Sequence, residues 1–551
     1  MNRKYLWAPL ILLVVVFALS FVLALLKIPS QKSFDHYSRP KEYVTLDQNW
    51  SADIRQQVHY TDFGSKIMPY ALFANLEQGG SRDLLVDNAL MNRLGFIVQQ
   101  VSKINPAGLP IGFALDNESE GAWVGLTCTA CHTAMLKYDE HSIVIEGGPG
   151  MLDFNQFESE ILSSLTATLD DVGKFNRLVS RLDLTAPSDI ESVRTSISER
   201  KAFFERRAIT NAVPVPYGHG RLDAFGRIFN AVTSAALHQP NNFHVPDAPV
   251  SIPMLWDASH FDLVQWNGSA ANKGLGPIGQ NVTTALAVYG EIDMLGGTRG
   301  YPSSVNMANL GYIQREFYKL MSPKWPEALM GTLDQVRVDR GARLYKQRCI
   351  ECHSVIQDRD QKRKIKAKMV EIHVVGTDPV MANNFANSRS STGPLEGKKS
   401  AVIGGPKFGE EAKTLSLVMN ATLGAMIRQP IELLSAFIAG DVEVYAAEPD
   451  NSIQAYKARP LNGVWATAPF LHNGSVPTLF DLFLPAAQRP SEFYVGSRTF
   501  NASKVGFDYG YAEHASFFDT RLKGNSNSGH EYAADLSEED RWALIEYLKS
   551  L

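Results

Sequence analysis

The chain has 551 residues, of which 45% are hydrophobic and 20% are charged, a composition typical of globular proteins. This length is sufficient for two or three domains. The formal net charge is only −5, which argues against a nucleic acid or another polyanion as the partner.

The first 28 residues have the pattern of a targeting segment. Arg3 and Lys4 precede a run without charged residues at positions 5–26, and about 20 apolar residues are needed to span a bilayer as a helix. The basic flank indicates that the N-terminus stays in the cytoplasm. The sequence therefore predicts a single-pass transmembrane helix at residues 1–28, with a cleaved signal peptide as the alternative. In both cases we expect the body of the protein on the periplasmic side of the cytoplasmic membrane.

The remaining chain is predicted to contain a linker and two domains. Residues 29–49 are polar, contain two prolines and form the linker. A first domain at 50–322 and a second at 323–551 meet at the proline-containing stretch 322–326. The helical periodicity of residues 157–208 predicts an insertion of two or three helices in the first domain. Residues 211–311 are rich in Gly, Pro and Asn, which predicts long loops with short helices.

Two further helices are predicted in the second domain. Apolar residues recur at helical spacing directly before Cys349. Near the C-terminus, Ser537 is followed three residues later by Asp540, which is a capping-box pattern and predicts the start of a helix. The apolar stripe expected on that helix consists of Leu544, Ile545, Leu548 and Leu551.

The four cysteines form two Cys-x-x-Cys-His motifs. These are Cys128, Cys131 and His132 in the first domain, and Cys349, Cys352 and His353 in the second. In c-type haem attachment the two thiols bond to the vinyl groups of one porphyrin, and the adjacent His is the proximal ligand. The sequence therefore predicts two covalently bound haem c groups, with His132 and His353 as iron ligands.

Cys-x-x-Cys pairs also occur in zinc sites and redox-active dithiols. A zinc site would require both pairs to meet at one ion and would leave both histidines without a role. A dithiol would require a βαβ context, which the sequence does not show. The predicted export agrees with haem attachment, because bacterial c haem is attached outside the cytoplasmic membrane. We therefore expect a mostly α-helical fold with two cytochrome c-like haem domains, long loops, a helical insertion and an N-terminal transmembrane helix.

His530 is the strongest candidate for a sixth iron ligand in the second domain. It follows the sequence GNSNSG at 524–529, a loop whose backbone can approach a flat cofactor, and it precedes the terminal helix. The other candidates there are His373, His472, His514, Met369, Met381, Met419 and Met426. For the first haem the candidates are His141, His219, His244 and His260, and none of them is preferred.

The chain from about residue 60 onward resembles a known family. The order of the two haem motifs and the stretch APFLHNGSVPTL at 468–479 resemble the dihaem cytochrome c peroxidase superfamily, which includes the tryptophan-tryptophylquinone-maturing enzyme. Other stretches are closer to its rubber oxygenase-like branch. They are GHGRLDAFG at 218–226, LWD at 255–257, QWNG at 265–268, GTDP at 376–379 and residues 524–532.

The resemblance implies different roles for the two haems. The haem on His132 would bind peroxide or dioxygen, and the haem on His353 would be six-coordinate and would supply or store electrons. In peroxidase relatives the distal ligand of this second haem lies shortly before the last helix, a position that matches His530 and not His472. Trp256 and Trp266 would line the path between the haems or the distal pocket, or would be core aromatic residues.

One departure from the peroxidase pattern concerns the acid–base group. Peroxidases of this type use a distal Glu to cleave the O–O bond, whereas Thr283 or Thr284 aligns there in this chain. In the rubber oxygenases the position is apolar and the iron holds dioxygen. His219 lies in a Gly-flanked loop and is an alternative distal base. The candidate catalytic residues are therefore His219, Trp256 and Thr283.

The sequence leaves two main hypotheses open. The first is an oxidoreductase that activates peroxide or dioxygen at the His132 haem, and the second is an electron-transfer cytochrome without a substrate of its own. A haem-bearing sensor is a third hypothesis, which the short N-terminal tail disfavours. The expected partners are a small-molecule oxidant, a redox partner protein or the quinone pool, and the membrane through the N-terminal helix.

Overall fold

The computed structural model describes residues 43–116, 121–272, 274–296, 299–356, 360, 362–439 and 454–551. It is 41% helical and 15% strand, so the expectation of a mostly α-helical fold is wrong. The strands are two to six residues long. In segments this short, the alternation of apolar and polar residues does not distinguish a strand from a loop in the sequence. The many Gly, Pro and Asn residues around them favour a loop prediction.

The predicted transmembrane helix at residues 1–28 lies outside the described residues. Of the helices that the structure does describe, none combines the length and the apolar character that a bilayer span requires. The last part of the predicted linker, Tyr43–Thr45, is a strand that pairs in parallel with His141–Glu146.

The helices are distributed over the whole described chain. The α-helices of the first predicted domain are Ala52–Tyr60, Tyr70–Asn75, Asn88–Arg93, Phe154–Asp170, Val172–Arg181, Pro187–Thr210, Ala224–Phe229, Gly276–Ala287 and Met307–Lys319, with a π-helix at Asn230–Ala236. Those of the second are Glu327–Met330, Gln335–Arg348, Ile372–Val375, Val380–Asn387, Thr414–Arg428, Pro430–Ala439, Leu479–Leu482 and Glu538–Ser550. Short 3-10 helices occur at Cys128–Ala130, Pro240–Asn242, Ala258–His260, Gly393–Leu395, Val464–Ala466 and Ala486–Gln488.

The strands form small sheets. Two sheets have three strands, in the spatial orders Tyr43–Thr45, His141–Glu146, Thr133–Tyr138 and Met68–Pro69, Trp123–Leu126, Phe113–Asp116. The antiparallel pairs are Arg221–Leu222 with Val250–Ser251, Leu263–Val264 with Ala270–Ala271, Lys368–Glu371 with Ala455–Ala458, Arg389–Ser391 with Glu411–Lys413, Glu492–Val495 with Ser516–Asp519, and Phe500–Asn501 with Gly506–Phe507.

The two helices predicted in the second domain are present and pack against each other. Ser537 is the N-cap of the terminal helix, where its side chain accepts a hydrogen bond from the backbone N–H of Asp540. Leu544, Ile545 and Leu548 of the expected apolar stripe are buried, whereas Leu551 follows the helix and is half-buried. The helix crosses Gln335–Arg348 very closely, because a Cβ atom on Gly341 would lie 2.1 Å from the carbonyl oxygen of Ala543. The close crossing fixes the helix that leads directly into the second haem motif.

The predicted helical insertion contains three helices, and a buried carboxylate joins it to the rest of the first domain. Glu158 on Phe154–Asp170 binds Arg207 at 2.8 Å and Arg227 at 2.7 Å. Arg227 lies on the helix Ala224–Phe229, which follows the insertion in the chain. Removing one member of such a buried network leaves an uncompensated charge, so the insertion is firmly anchored.

The largest apolar core contains side chains from both predicted domains. Trp256 from the first and Trp465 from the second are both completely buried in it. The indole N–H of Trp465 donates to the carbonyl of Pro323, and its ring contacts that of Trp325 at 5.3 Å between centroids. The segments that carry the two haem motifs are therefore built on one continuous core.

Candidate functional site

Both Cys-x-x-Cys-His motifs adopt the same tight turn. The first begins with a short 3-10 helix, and the second directly follows the helix Gln335–Arg348. In each motif the backbone N–H of the His donates to the carbonyl of the first Cys, at 3.0 Å from His132 to Cys128 and at 2.8 Å from His353 to Cys349. This is the spacing of one α-helical turn, which brings both thiols and the imidazole together.

The two motif histidines also have the same kind of hydrogen-bond partner. The Nδ1 atom of His132 lies 2.9 Å from the carbonyl oxygen of Pro253, and that of His353 lies 2.6 Å from the carbonyl oxygen of Arg459. A carbonyl can only accept, so Nδ1 carries the proton in both rings and Nε2 keeps its lone pair. A backbone carbonyl on the second ring nitrogen is the common partner of metal-ligating histidines, because it fixes both the tautomer and the ring orientation.

The protonation states of the first motif suit haem attachment. Burial lowers the pKa of His132 to about 4, although the Pro253 carbonyl opposes this shift, so the imidazole is neutral as a metal ligand requires. Burial also raises the pKa of the Cys128 and Cys131 thiols to about 12. At neutral pH these thiols are protonated, as is expected of buried cysteines that are not ion-paired.

The alternative zinc site finds no support in the part of the chain that the structure describes. No three His, Cys, Asp or Glu side chains are grouped there in a way that could hold a metal ion. The four cysteines are free thiols in two separate motifs.

His530 faces the proximal histidine of the second motif. The ring centroids of His353 and His530 are 6.1 Å apart, with an angle of 62° between the ring planes. His530 has a left-handed backbone conformation with φ of 52°, and its backbone N–H donates to the carbonyl of Val375 at 2.8 Å. Its Nδ1 atom is buried and has no hydrogen-bond partner. Burial, reinforced by His353 and Arg489, lowers the pKa of His530 to about 3, so the ring is neutral.

The separation of these two rings fits one haem iron between them. A metal–nitrogen bond of about 2 Å on each side, plus about 1 Å from each nitrogen to its ring centre, places two ligating rings about 6 Å apart. The observed distance is 6.1 Å. The residues present therefore fit a haem c held by Cys349, Cys352, His353 and His530.

Several distant motifs build the loop that carries His530. The side-chain amide of Asn473 donates to the carbonyls of Gly524 and Ser526, at 3.2 and 2.9 Å. Arg221 donates to the side chain of Asn525 at 2.6 Å, and the carboxylate of Asp378 accepts from the backbone N–H of Ser526 at 3.2 Å. The stretches 218–226, 376–379 and 468–479, which the sequence singled out separately, thus meet at one structural element.

Arg489 stabilises the same loop from the other side. Its buried guanidinium donates to the carbonyls of Asn527 and Gly529, and to the carbonyl of Leu482. Gly529 has φ of 74°, and a Cβ atom there would lie 2.3 Å from the carbonyl carbon of Gly376. The residue before His530 must therefore be glycine for the loop to close in this way.

Trp256 links the two segments whose backbone carbonyls accept hydrogen bonds from His132 and His353. It is completely buried, and its indole N–H donates to the carbonyl of Asn462 at 3.0 Å. Trp256 lies three residues after Pro253, and Asn462 lies three residues after Arg459. A short path of covalent bonds and one hydrogen bond thus joins the carbonyl that holds His132 to the carbonyl that holds His353.

The other two predicted catalytic residues are hydrogen-bonded within the protein. His219 is buried, and its Nδ1 lies 2.8 Å from the Ser516 hydroxyl while its Nε2 lies 3.0 Å from the carbonyl of Arg93. The Thr283 hydroxyl lies 2.8 Å from the carbonyl of Gly279, in the preceding helical turn, and 2.9 Å from the hydroxyl of Thr422. Catalytic roles for His219, Trp256 and Thr283 stay predictions.

Three other candidate histidines have different surroundings. His472 stacks on Tyr456 at 4.0 Å between ring centroids, and burial lowers its pKa to about 3. His244 lies 2.9 Å from the Ser390 hydroxyl. Both ring nitrogens of His260 face backbone carbonyls, at 3.0 and 2.9 Å. The sixth ligand of the first haem stays open.

A family model agrees with the haem-site geometry. The model described as "RoxA-like, cytochrome c-like" matches residues 455–494. This match supports a RoxA-like cytochrome family. The RoxA-like segment contains Arg459, which anchors His353, together with Asn473 and Arg489, which hold the His530 loop. The chain is thus supported as a haem c cytochrome, whereas the wider peroxidase superfamily and the number of haems stay predictions.

Two proteins of Sinorhizobium fredii (strain NBRC 101917 / NGR234) are similar to this chain. The uncharacterized protein y4iJ is 29% identical over an alignment of 584 residues, which covers 94% of each chain. The uncharacterized protein y4iM is 25% identical over 335 residues, which cover 58% of this chain and 66% of the relative. The similarity to y4iJ extends over nearly the whole length, far beyond the RoxA-like segment.

The structure adds residues to the site that the sequence analysis did not find. Pro253, Arg459 and Asn462 contribute only backbone carbonyls to the contacts described above, and any residue type carries a carbonyl, so no sequence signal marks them. Arg489 acts through its side chain, but a single arginine in a loop is usually a solvated surface residue.

Proposed function

We propose that this RoxA-like chain is an exported dihaem c-type cytochrome oxidoreductase. In this proposal, His132 would hold a haem at which peroxide or dioxygen could be activated, and His353 and His530 would hold a second haem that could supply electrons to the first. The observation that carries the proposal is the pair of opposed, neutral, half-buried imidazoles of His353 and His530, with ring centroids 6.1 Å apart.

The haem iron itself supplies the redox chemistry. A c-type haem supplies one-electron transfer where both axial positions are filled, and binding and reduction of peroxide or dioxygen where one position is open. His353 and His530 are both held by backbone contacts, to the Arg459 and Val375 carbonyls respectively. Ligands held in this way keep their positions when the charge on the metal changes, which suits electron transfer.

The His132 side supports a different role. His132 is oriented by the Pro253 carbonyl in the same way as His353 is by that of Arg459. Within the described part of the chain, however, no second imidazole faces it as His530 faces His353. This difference between the two motifs, together with the resemblance to rubber oxygenase-like proteins, supports small-molecule chemistry at the first haem.

Trp256 supports electron transfer between the two haems. Its buried indole bridges the segments that anchor the two proximal histidines through the hydrogen bond to Asn462. The ring holds its position because it is surrounded by the shared apolar core. In the proposal, this side chain lies between electron donor and acceptor and keeps water out of the space between them.

The proposal includes a location and partners. Attachment of haem c in bacteria takes place outside the cytoplasmic membrane, so we propose the periplasmic side as the place of action. The electrons would come from a redox partner protein or from the quinone pool, and the oxidant would be a small molecule.

A second candidate function is an electron-transfer cytochrome without a substrate. The observation that favours it is the hydrogen bonding of the predicted acid–base groups, because both ring nitrogens of His219 and the hydroxyl of Thr283 already have partners within the protein. A group that must exchange a proton with a substrate needs a free donor or acceptor.

The spin state of the purified ferric holoprotein separates the two candidates. We expect one low-spin haem and one high-spin haem, and we expect the high-spin signal alone to respond to cyanide or, after reduction, to carbon monoxide. His132→Ala should abolish this response, whereas the control His141→Ala, next to a surface glutamate, should retain it. Two low-spin haems that are inert to both ligands would refute the enzyme and favour the carrier.

Consumption of hydrogen peroxide or of dioxygen then distinguishes the two oxidants. Because the resemblance places Thr283 or Thr284, and no carboxylate, at the distal position, we expect slow turnover of peroxide with a reduced cytochrome as donor. Rapid peroxide turnover that persists in the Thr283→Ala and His219→Gln variants would contradict roles for these residues.

A further inference from the structure

Two basic side chains, the buried Lys457 and the half-buried Arg459, lie beside the proximal histidine of the second motif. Lys457 and Arg459 are at alternate positions at the end of the strand Ala455–Ala458, so their side chains are on the same side of it. Lys457 is only 8% exposed, and its ammonium group donates to the carbonyl of Leu263 at 3.1 Å. The Nε atom of Arg459 is buried and has no hydrogen-bond partner.

The two nearest acidic side chains are bonded to other groups, although the second carboxylate oxygen of Asp257 is buried and has no hydrogen-bond partner. Asp257 holds Arg363 at 2.7 Å, and Asp262 accepts hydrogen bonds from the backbone N–H groups of Leu263 and Ala367 at 2.8 and 2.7 Å. Among the described residues, no carboxylate lies within ion-pair distance of Lys457 or Arg459. The strand end thus carries two basic side chains without a protein carboxylate in ion-pair contact.

Both basic side chains make cation–π contacts with aromatic rings. The guanidinium carbon of Arg459 lies 4.5 Å from the ring centroid of Trp266, and the ammonium nitrogen of Lys457 lies 4.2 Å from that of Phe261. Such cation–π contacts hold a charged group in place, but they leave most of its N–H donors free. The two side chains are therefore fixed with donors available for an anion.

Buried charges of this kind need an anionic partner. An uncompensated buried cation is strongly unfavourable, and charged groups inside proteins are normally paired. The carbonyl of Arg459 accepts a hydrogen bond from Nδ1 of His353, so these two side chains belong to the immediate surroundings of the second haem site. A porphyrin attached there carries two carboxylates at one edge, which match two cations in number and sign.

We infer that Lys457 and Arg459 bind the two carboxylates of the haem held by His353, and that their charges raise its reduction potential. The inference rests on the proposed function, because it requires a haem at the second motif. Positive charge near the iron favours the ferrous state, since that state carries one positive charge less than the ferric state. Arg459 would thus act on this haem through both its backbone and its side chain.

The test is the midpoint potential of each haem, measured by spectroelectrochemistry on the holoprotein. Arg459→Gln and Lys457→Met should each shift the potential of the low-spin haem to lower values and leave that of the other haem unchanged. Arg459→Lys keeps the charge, so the potential of its low-spin haem should stay close to that of the wild type. The matched control is Arg337→Gln, which removes an exposed charge from the helix leading to Cys349.

The outcomes distinguish this inference from the proposed function. If mass spectrometry finds both haems attached but the low-spin potential is the same in both variants, the inference is wrong and the proposed function stands. An equal shift in Arg337→Gln would also overturn it, because the effect would then be non-specific. If no haem is attached at the second motif of the wild type, the proposed function fails together with the inference. If Arg459→Gln does not fold, the midpoint potential of the low-spin haem in Lys457→Met tests the inference instead.

Discussion

His530 is held in a backbone conformation that is unfavourable for a non-glycine residue. Its φ of 52° costs about 1 kcal/mol or more relative to the right-handed region. The conformation persists because the Val375 carbonyl fixes its backbone N–H and Gly529 allows the preceding turn. Strain of this kind is typically retained where a side chain must be aimed at one point, and here the ring is aimed at His353.

Replacement of His530 tests whether it is an axial ligand. His530→Ala should convert the low-spin haem to a high-spin form that binds cyanide, and added imidazole should restore the low-spin spectrum by filling the space of the missing ring. The control His373→Ala removes a side chain that is 75% exposed and should leave the spectrum unchanged. A low-spin spectrum that survives in His530→Ala would show that another residue supplies the ligand.

His472 makes stability depend on pH. Burial, reinforced by Arg221, lowers its pKa to about 3 in the folded protein, below the value of about 6.5 of an unfolded histidine. Its contribution to stability is complete above pH 6.5 and is lost as the pH falls towards 3, because only the unfolded state takes up the proton. The slope approaches about 1.4 kcal/mol per pH unit for one proton.

Urea unfolding between pH 7 and pH 5 checks this prediction. His472→Phe keeps an aromatic ring for the stack on Tyr456 and should show a smaller loss of unfolding free energy on acidification than the wild type. His514→Ala, at an exposed site, should retain the wild-type slope. Parallel pH profiles for wild type and His472→Phe would mean that His472 is not kept neutral by the fold.

At the scale of elements, the loop 524–530 is held in part by side chains from other parts of the chain. Arg489 donates to the carbonyls of Asn527 and Gly529 within the loop, and Asn473 donates to the carbonyl of Gly524 at its beginning. We expect Arg489→Gln to lower the unfolding free energy by about 2–4 kcal/mol, because each buried hydrogen bond from a charged group contributes about 1.5–3 kcal/mol. The freed loop should also release His530, so the low-spin haem should become partly high-spin.

Thermal unfolding and the visible spectrum together measure both effects. The control Arg521→Gln changes an arginine that is 63% exposed and should alter neither quantity. Loss of stability in Arg489→Gln without any change in spin state would show that the loop keeps His530 in place without the hydrogen bonds from Arg489.

The sequence predicted long elements and covalent motifs better than short strands. The helices Gln335–Arg348 and Glu538–Ser550 carry clear signals, namely the apolar spacing before Cys349 and the cap at Ser537. Two-residue strands such as Arg221–Leu222 have no periodicity of their own and exist only because a distant strand pairs with them. The mostly α-helical expectation failed for this reason.

The sequence indicates candidate site residues where the chemistry depends on residue type. Haem attachment would require Cys128, Cys131, Cys349 and Cys352, and His530 is marked by its loop, but the roles of these residues stay predictions. The carbonyls of Pro253 and Arg459 were not predictable, because they come from backbone that becomes adjacent only after folding. The convergence of three separate motifs on the loop 524–530 is likewise a property of the fold alone.

At the scale of the whole molecule, the two motifs are joined by one core. Trp256 and Trp465, from the two predicted domains, are both completely buried in it, and Gly463 approaches the Trp256 ring so closely that a Cβ atom there would lie 3.2 Å away. A protein interior of this density does not deform continuously. The relative position of the two proposed haems is therefore fixed, which electron transfer between them requires.

The intact mass of the protein, matured in a host that attaches haem c, tests the central claim most directly. The account predicts two covalent haem adducts on the wild type, and one adduct on each of the double variants Cys128→Ala/Cys131→Ala and Cys349→Ala/Cys352→Ala. A bare polypeptide, or a wild type with a single adduct that only one of the two double variants removes, would contradict it.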